Sequence, residues 1–162
     1  MIPIYTDGAC SKNGYPEAKA GIGIFFADND PRNVSSIVDK DKYKQTNNVA
    51  ELLAFITAIK IVANDGNKYK IYTDSEYVIK CATKFANWLK KKDKTEIKNY
   101  ELVEELYQLV EKYNIKYEYI KAHTGFDDEH SYGNEQADKL ANDAIGVETV
   151  KRISLSIPFD SK

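Results

Sequence analysis

Ile2-Pro3-Ile4-Tyr5-Thr6-Asp7-Gly8-Ala9-Cys10 is followed, after a polar connection, by Ala20-Gly21-Ile22-Gly23-Ile24-Phe25-Phe26-Ala27. The first stretch alternates. Ile2, Ile4 and Thr6 fall on one face and Tyr5 and Asp7 on the other, which predicts a strand from Ile2 to Cys10. Ser11 to Lys19 is polar and carries the turn signals Asn13-Gly14 and Pro16. The second stretch reads as another strand, Asp28 to Arg32 as a turn, and Val34 to Asp39 as a third strand. Three strands at hairpin spacing begin an antiparallel sheet.

The pattern then changes period. Val49, Leu52, Leu53, Ile56, Ile59 and Ala63 recur at three and four residues, predicting a helix over 48–63 that Gly66-Asn67 ends. Tyr69 to Thr73 reads as a short strand, and Ser75 to Leu89 as a helix with one break. Tyr100 to Tyr113 is helical, with Leu102, Leu106, Leu109 and Val110 as its apolar stripe. Ile115 to Ile120 is the last strand and Asn134 to Ile145 the last helix. The order β-β-β-α-β-α-α-β-α predicts an α/β fold, a mixed sheet covered by helices. Residues 1–146 read as one domain. Val147 to Lys162 is a C-terminal extension in which Arg152 to Phe159 alternates like a strand, and a packed or frayed extension is expected there.

A chain of 162 residues is long enough for one buried core. At 43% hydrophobic and 30% charged it has ordinary globular composition, which excludes long disorder. No apolar run has the length of a membrane span, and the first residues lack the basic and apolar regions of a signal peptide. An intracellular protein without membrane contact is expected. Cys10 and Cys81 are too few for a disulfide scaffold and read as thiols in a reducing compartment. The net charge of −2 argues against nucleic acid, but the balance is uneven. Lys84, Lys90, Lys91, Lys92, Lys94 and Lys98 face only Asp93 and Glu96 in that segment, and a local basic patch suffices for phosphate contact. A solvated helix end is the ordinary alternative for such a run.

Four carboxylates stand where structure and chemistry compete. Taken singly, Asp7 is a turn residue before Gly8. Glu51 stands at capping-box spacing from Asn48. Asp74 can cap the helix that follows it. Asp138 is different: Asn134 can cap its helix, Ala137, Leu140, Ala141 and Ala144 form the buried stripe, and a lone carboxylate beside that stripe is costly. Taken together, two of the acids close strands, where parallel sheets build their sites. The other two sit in first turns of helices that can pack across the same end. Oxygen donors without nearby cysteine favour a hard cation such as Mg²⁺. Two such ions about 4 Å apart can hold the attacking water and leaving oxygen of a phosphodiester displacement. Four solvated surface acids are the alternative.

Four runs of residues carry a family resemblance. They are Tyr5-Thr6-Asp7-Gly8-Ala9-Cys10, Gln45-Thr46-Asn47-Asn48-Val49-Ala50-Glu51-Leu52, Tyr72-Thr73-Asp74-Ser75, and His123-Thr124-Gly125 followed by Gly133-Asn134-Glu135-Gln136-Ala137-Asp138-Lys139-Leu140-Ala141. In this order and spacing the chain resembles type 1 ribonuclease H, the family that cuts the RNA strand of RNA–DNA hybrids, from about Ile4 to Gly146. The resemblance implies a ribonuclease H-like fold, a five-stranded mixed sheet (three antiparallel strands, then parallel ones) with helices on both faces. It implies that Asp7, Glu51, Asp74 and Asp138 hold two Mg²⁺ ions in the substrate complex, with Mn²⁺ as a substitute, and that Asp7 touches both. It further implies water attack on phosphorus with 5′-phosphate and 3′-hydroxyl products, and His123 as a mobile catalytic histidine acting in proton transfer or product release.

Recognition of RNA requires reading the 2′-hydroxyl, which donates and accepts hydrogen bonds. Asn13, Asn47 and Asn48 are the nominated side chains, with Gly8 and Cys10 offering close backbone approach. By resemblance, Thr46 and Asn99 form a DNA-phosphate pocket, and Tyr77 and Trp88 lie near the DNA-strand channel. Turn, cap and core packing are the ordinary roles of these residue types. The chain departs from the family pattern twice. His123 and Asp138 are farther apart than usual, the extra residues Phe126 to Tyr132 reading as a longer, acidic loop in which His130 has no family counterpart. The region after Trp88 is shorter than in members with a long basic handle. A monomeric hybrid-specific endoribonuclease is expected. The rival readings are a catalytically silent binding module, another nuclease on the same fold, and a domain of a larger protein. The start at Met1, directly before the first strand, favours a separate polypeptide.

Overall fold

The computed structural model describes residues 1–122 and 128–146. His123, Thr124, Gly125, Phe126 and Asp127, and the extension from Val147 to Lys162, lie outside the described residues, with the expectations attached to them. β1 (Ile2–Ser11), β2 (Lys19–Phe25) and β3 (Val34–Ile37) form an antiparallel meander. α1 (Asn47–Val62) leads to β4 (Tyr69–Thr73), which pairs parallel to β1. α2 (Glu76–Lys91), a single 3₁₀ turn (Lys94–Glu96) and α3 (Tyr100–Lys112) precede β5 (Lys116–Tyr119), which pairs parallel to β4. α4 (Glu129–Ala144) closes the domain. The strand order is β3-β2-β1-β4-β5, a five-stranded mixed sheet as the element order predicts.

Strand alternation divides the core between two layers. On one side Ile4, Ile24 and Ile71 meet Leu52, Phe55 and Ile59 of α1, with Val78 of α2 and Val103 and Leu106 of α3 completing the cluster. α1 lies between the sheet and α3, so residues on nearly every side of it are buried. Truncating Phe55 to Ala there costs about 3–5 kcal/mol. On the other side Tyr5 and Phe25 pack against Ala137 of α4, with Tyr72 and Leu140 at the margin.

Several local expectations are corrected. α1 is capped by Thr46, whose hydroxyl accepts from the Val49 amide at 3.1 Å, so Asn48 and Glu51 form no capping box. Ser75, not Asp74, is the N-cap of α2, accepting from Val78 N at 3.1 Å. α2 runs unbroken to Lys91. α4 starts five residues before Asn134: Asp128 caps it, accepting from Ser131 N at 2.7 Å. Residues 128–132, read as loop for want of apolar spacing, therefore form the cap and first turn of α4. Asn134 is a buried mid-helix residue rather than a cap, and His130 is helical.

Candidate active site

Asp7 lies within β1, one residue past the last that pairs with β4, and Asp74 directly follows β4. Tyr5 pairs with Tyr72 and Thr6 with Thr73, so Asp7 and Asp74 follow side by side. Asp7 is buried, and its carboxylate accepts from the Gly8 amide at 2.9 Å. Glu51 comes from α1, and a glycine lets it approach. A Cβ on Gly8 would stand 2.5 Å from the Glu51 backbone nitrogen and 2.7 Å from the Ala50 carbonyl carbon. Another glycine admits α4. Gly23, paired with Asp7 across the hairpin, lies where a Cβ would stand 2.1 Å from the Ala137 carbonyl oxygen. Asp138 follows on the next residue of that helix.

Asp7, Glu51 and Asp74 each offer a carboxylate oxygen within 4.8 Å of the others. Burial, then the charges of Glu51 and Asp74, push the Asp7 carboxyl well above its ordinary range. Burial and then Asp74 raise Glu51 to about 8. Glu51 is half-buried as a residue, yet its Oε1 is sealed from solvent with no hydrogen-bond partner among the described residues. Such crowding of carboxylates is unfavourable without a cation, and an oxygen-only donor set suits a hard divalent ion. Asp138 adds to the charge felt by Asp7 and Glu51. Its oxygens stand outside the three-way cluster, and one accepts from Asn142 Nδ2 at 3.2 Å. Asn134, one turn before Asp138, is buried, and its Oδ1 has no hydrogen-bond partner among the described residues.

The expected nucleic-acid contacts other than Trp88, which lies in the last turns of α2, stand near the start of α1 or the start of α3. The Asn13 side chain accepts from the Asn47 amide at 3.1 Å, which ties the β1–β2 turn to α1. Asn13, Asn47 and Asn48 are exposed. The Cys10 thiol is half-buried and donates to the Gln45 carbonyl. Thr46 uses its hydroxyl as the α1 cap. Asn99 adopts left-handed backbone (φ 57°) before α3 and donates through Nδ2 to the Tyr77 hydroxyl at 3.0 Å. A cleft of about 470 Å³ between the two helix starts is lined by Lys42, Lys44, Val49, Asn99 and Glu105. Trp88 packs against the core, with the Lys92 ammonium 5.7 Å from its ring centroid. Lys90, Lys91 and Lys92 are exposed beside it.

The RNase H family model matches residues 1–146. The chain belongs to the RNase H family. It is 39% identical over 143 residues to the ribonuclease H of Schizosaccharomyces pombe, a match covering 85% of this chain and 50% of that one. It is 37% identical over 142 residues to a probable ribonuclease H of Acanthamoeba polyphaga mimivirus, covering 82% and 61%. The chain thus spans half to three-fifths of the length of these curated relatives. The PFV RNase H domain, solved in solution, shares the fold with a TM-score of 0.65 at 22% identity, over 88% of this chain and 92% of that one. Among the described residues no helix is long and apolar enough to cross a membrane.

Proposed function

We propose that this RNase H family chain is an endoribonuclease that hydrolyses the RNA strand of RNA–DNA hybrids. The observation that carries this reading is the cluster of Asp7, Glu51 and Asp74, three carboxylates within 4.8 Å contributed by β1, by α1 and by the residue that follows β4. Two divalent ions, Mg²⁺ or Mn²⁺ in its place, supply an activated water and charge stabilisation at the scissile phosphate when bound. Asp7, Glu51 and Asp74 hold them, with Asp138 as the fourth carboxylate. The unpartnered Glu51 Oε1 and the all-oxygen donor set support that fit.

The remaining residues bind and orient. Asn13, Asn47 and Asn48 present amides to the RNA 2′-hydroxyls, with the Gly8 and Cys10 backbone close behind. Thr46 and Asn99 receive a DNA phosphate, and Tyr77 and Trp88 offer flat surfaces to the DNA strand. His123 moves a proton or helps release product. The products carry 5′-phosphate and 3′-hydroxyl ends. Residues 1–146 are the catalytic unit, acting as a monomer inside the cell, and 147–162 an extension to it.

The test is cleavage of three labelled substrates, RNA–DNA hybrid, RNA duplex and DNA duplex, each with Mg²⁺ or EDTA. Cutting of the hybrid's RNA strand alone, abolished by EDTA, is expected. Hybrid binding without cleavage in either Mg²⁺ or Mn²⁺ would return the chain to a silent binding module.

A further inference from the structure

The extra residues before Asp138 join α4 to the two strands that carry Asp7 and Asp74. His130, in the first turn of α4, is hydrogen-bonded through Nδ1 to the Tyr5 hydroxyl at 2.8 Å. Its ring centroid is 4.3 Å from that of Tyr72 and 5.9 Å from that of Tyr5. Tyr5 and Tyr72 are partners across the β1–β4 ladder, with rings stacked at 5.4 Å. Tyr5 stands two residues before Asp7 on the same face of β1, and Tyr72 two residues before Asp74, which follows β4. Gly133, one turn on from His130, lets the helix lie flush: a Cβ there would stand 2.3 Å from the Tyr5 ring.

The far half of α4 has its own anchors. Gly23 lies against the backbone at Ala137 and Ala141, and Ser35 Oγ donates to the Leu140 carbonyl at 2.6 Å. Asp138 lies among these anchors, and the first turn adds the contacts at His130 and those of Tyr132, whose hydroxyl donates to Asp28 Oδ1 at 2.6 Å. A helix rotating by roughly 10° sweeps a side-chain tip through about 1 Å at its 5–6 Å radius. Displacement of that size is enough to impair a metal-dependent site.

We propose that His130 is a positioning residue for the metal site: by docking the first turn of α4 on Tyr5 and Tyr72, it sets the rotation of the helix and thereby the placement of Asp138 beside Asp7, Glu51 and Asp74. Asp138 lies two turns along the same helix, about 12 Å up its axis. The proposal rests on the metal-site reading above. It assigns a role to a residue outside the four motif runs.

The test measures Mn²⁺ binding to the full chain, without nucleic acid, by titration followed through the free-ion resonance signal. Asp7→Asn should abolish binding. His130→Ala should weaken it by roughly threefold to tenfold, at or below the range usual for residues that support ligands. His130→Asn, whose amide offers a donor or an acceptor near the Nδ1 position, should recover most of the loss. Tyr5→Phe should resemble His130→Ala. Tyr69→Phe, which removes a hydroxyl bonded to Asp65 and Arg32 on another part of the sheet, should lower Tm without moving Mn²⁺ affinity. Unchanged affinity in His130→Ala, with binding lost in Asp7→Asn, would overturn the proposal alone. No Mn²⁺ binding by the unmodified protein would overturn the metal reading and this proposal with it.

Discussion

Gly8 lies directly against Glu51: a side-chain carbon on Gly8 would stand 2.5 Å from the Glu51 backbone nitrogen. The contact joins the middle of β1 to the opening turns of α1, and it brings the Glu51 carboxylate beside Asp7. Both groups pressed together there are backbone, so neither can swing aside. A Gly8→Ala variant must separate strand from helix. We expect a loss of about 1–3 kcal/mol in stability, as for other overpacked sites. Hybrid cleavage should fall by more than about tenfold. Thermal melting and a cleavage assay together check this; a Tm and turnover equal to the unmodified protein would show that the strand and helix ends yield easily.

Asp7 is the most enclosed member of the acidic cluster. Asp7→Asn keeps its shape and removes its charge. Cleavage should drop by at least about a thousandfold, some 4 kcal/mol of barrier, while hybrid binding survives. In EDTA the variant should melt at a higher temperature than the unmodified protein, because one repelling carboxyl is gone. Millimolar Mg²⁺ should then raise Tm in the unmodified protein and leave the variant unmoved.

The raised carboxyls also set a pH dependence for the metal-free protein. Asp7 and Glu51 both hold protons more tightly folded than unfolded, chiefly through burial. Their contribution is therefore full below the ordinary carboxylate range and is lost as pH rises through the raised values, which for Glu51 means from 4.5 up to about 8. Melting in EDTA should show stability falling across that window, and Glu51→Gln should flatten the fall. Mg²⁺ competes with those protons, so its stabilising effect should grow as pH rises through the same window. A stability profile in EDTA that rises across the window would contradict the assigned sign.

Lys90, Lys91 and Lys92 end α2 beside Trp88, all three exposed. Replacing them with Ala should weaken hybrid binding and lower the slope of log affinity against log salt by about 2 to 3, one unit or slightly less per lost phosphate contact. Binding measured at several salt concentrations decides it. An unaltered slope would make the run an ordinary solvated helix end.

Much of this was legible in the residues because periodicity is a local property. Alternation in Ile2 to Cys10 and the three-and-four spacing from Val49 to Ile59 depend only on neighbours in the chain. The caps were harder. Thr46 and Asn48 both suit the start of α1, and Asp128 and Asn134 both suit the start of α4. Which residue caps depends on how far the helix can extend before it meets the sheet. At α4 it extends past Gly133, whose bare backbone fits against Tyr5. A glycine in sequence suggests a break, and only the packed ring explains its presence inside a helix.

The sequence by itself determined the element order and the mixed α/β class, since both are written in adjacent residues. Tertiary structure alone decided that Asp7, Glu51 and Asp74 converge within 4.8 Å while the Asp138 oxygens stand apart, and that His130 docks on Tyr5 and Tyr72. Those distances join segments far apart in the chain. They follow from the parallel register of β1 with β4 and from backbones that approach closely at Gly8, Gly23 and Gly133, where no side chain holds them apart.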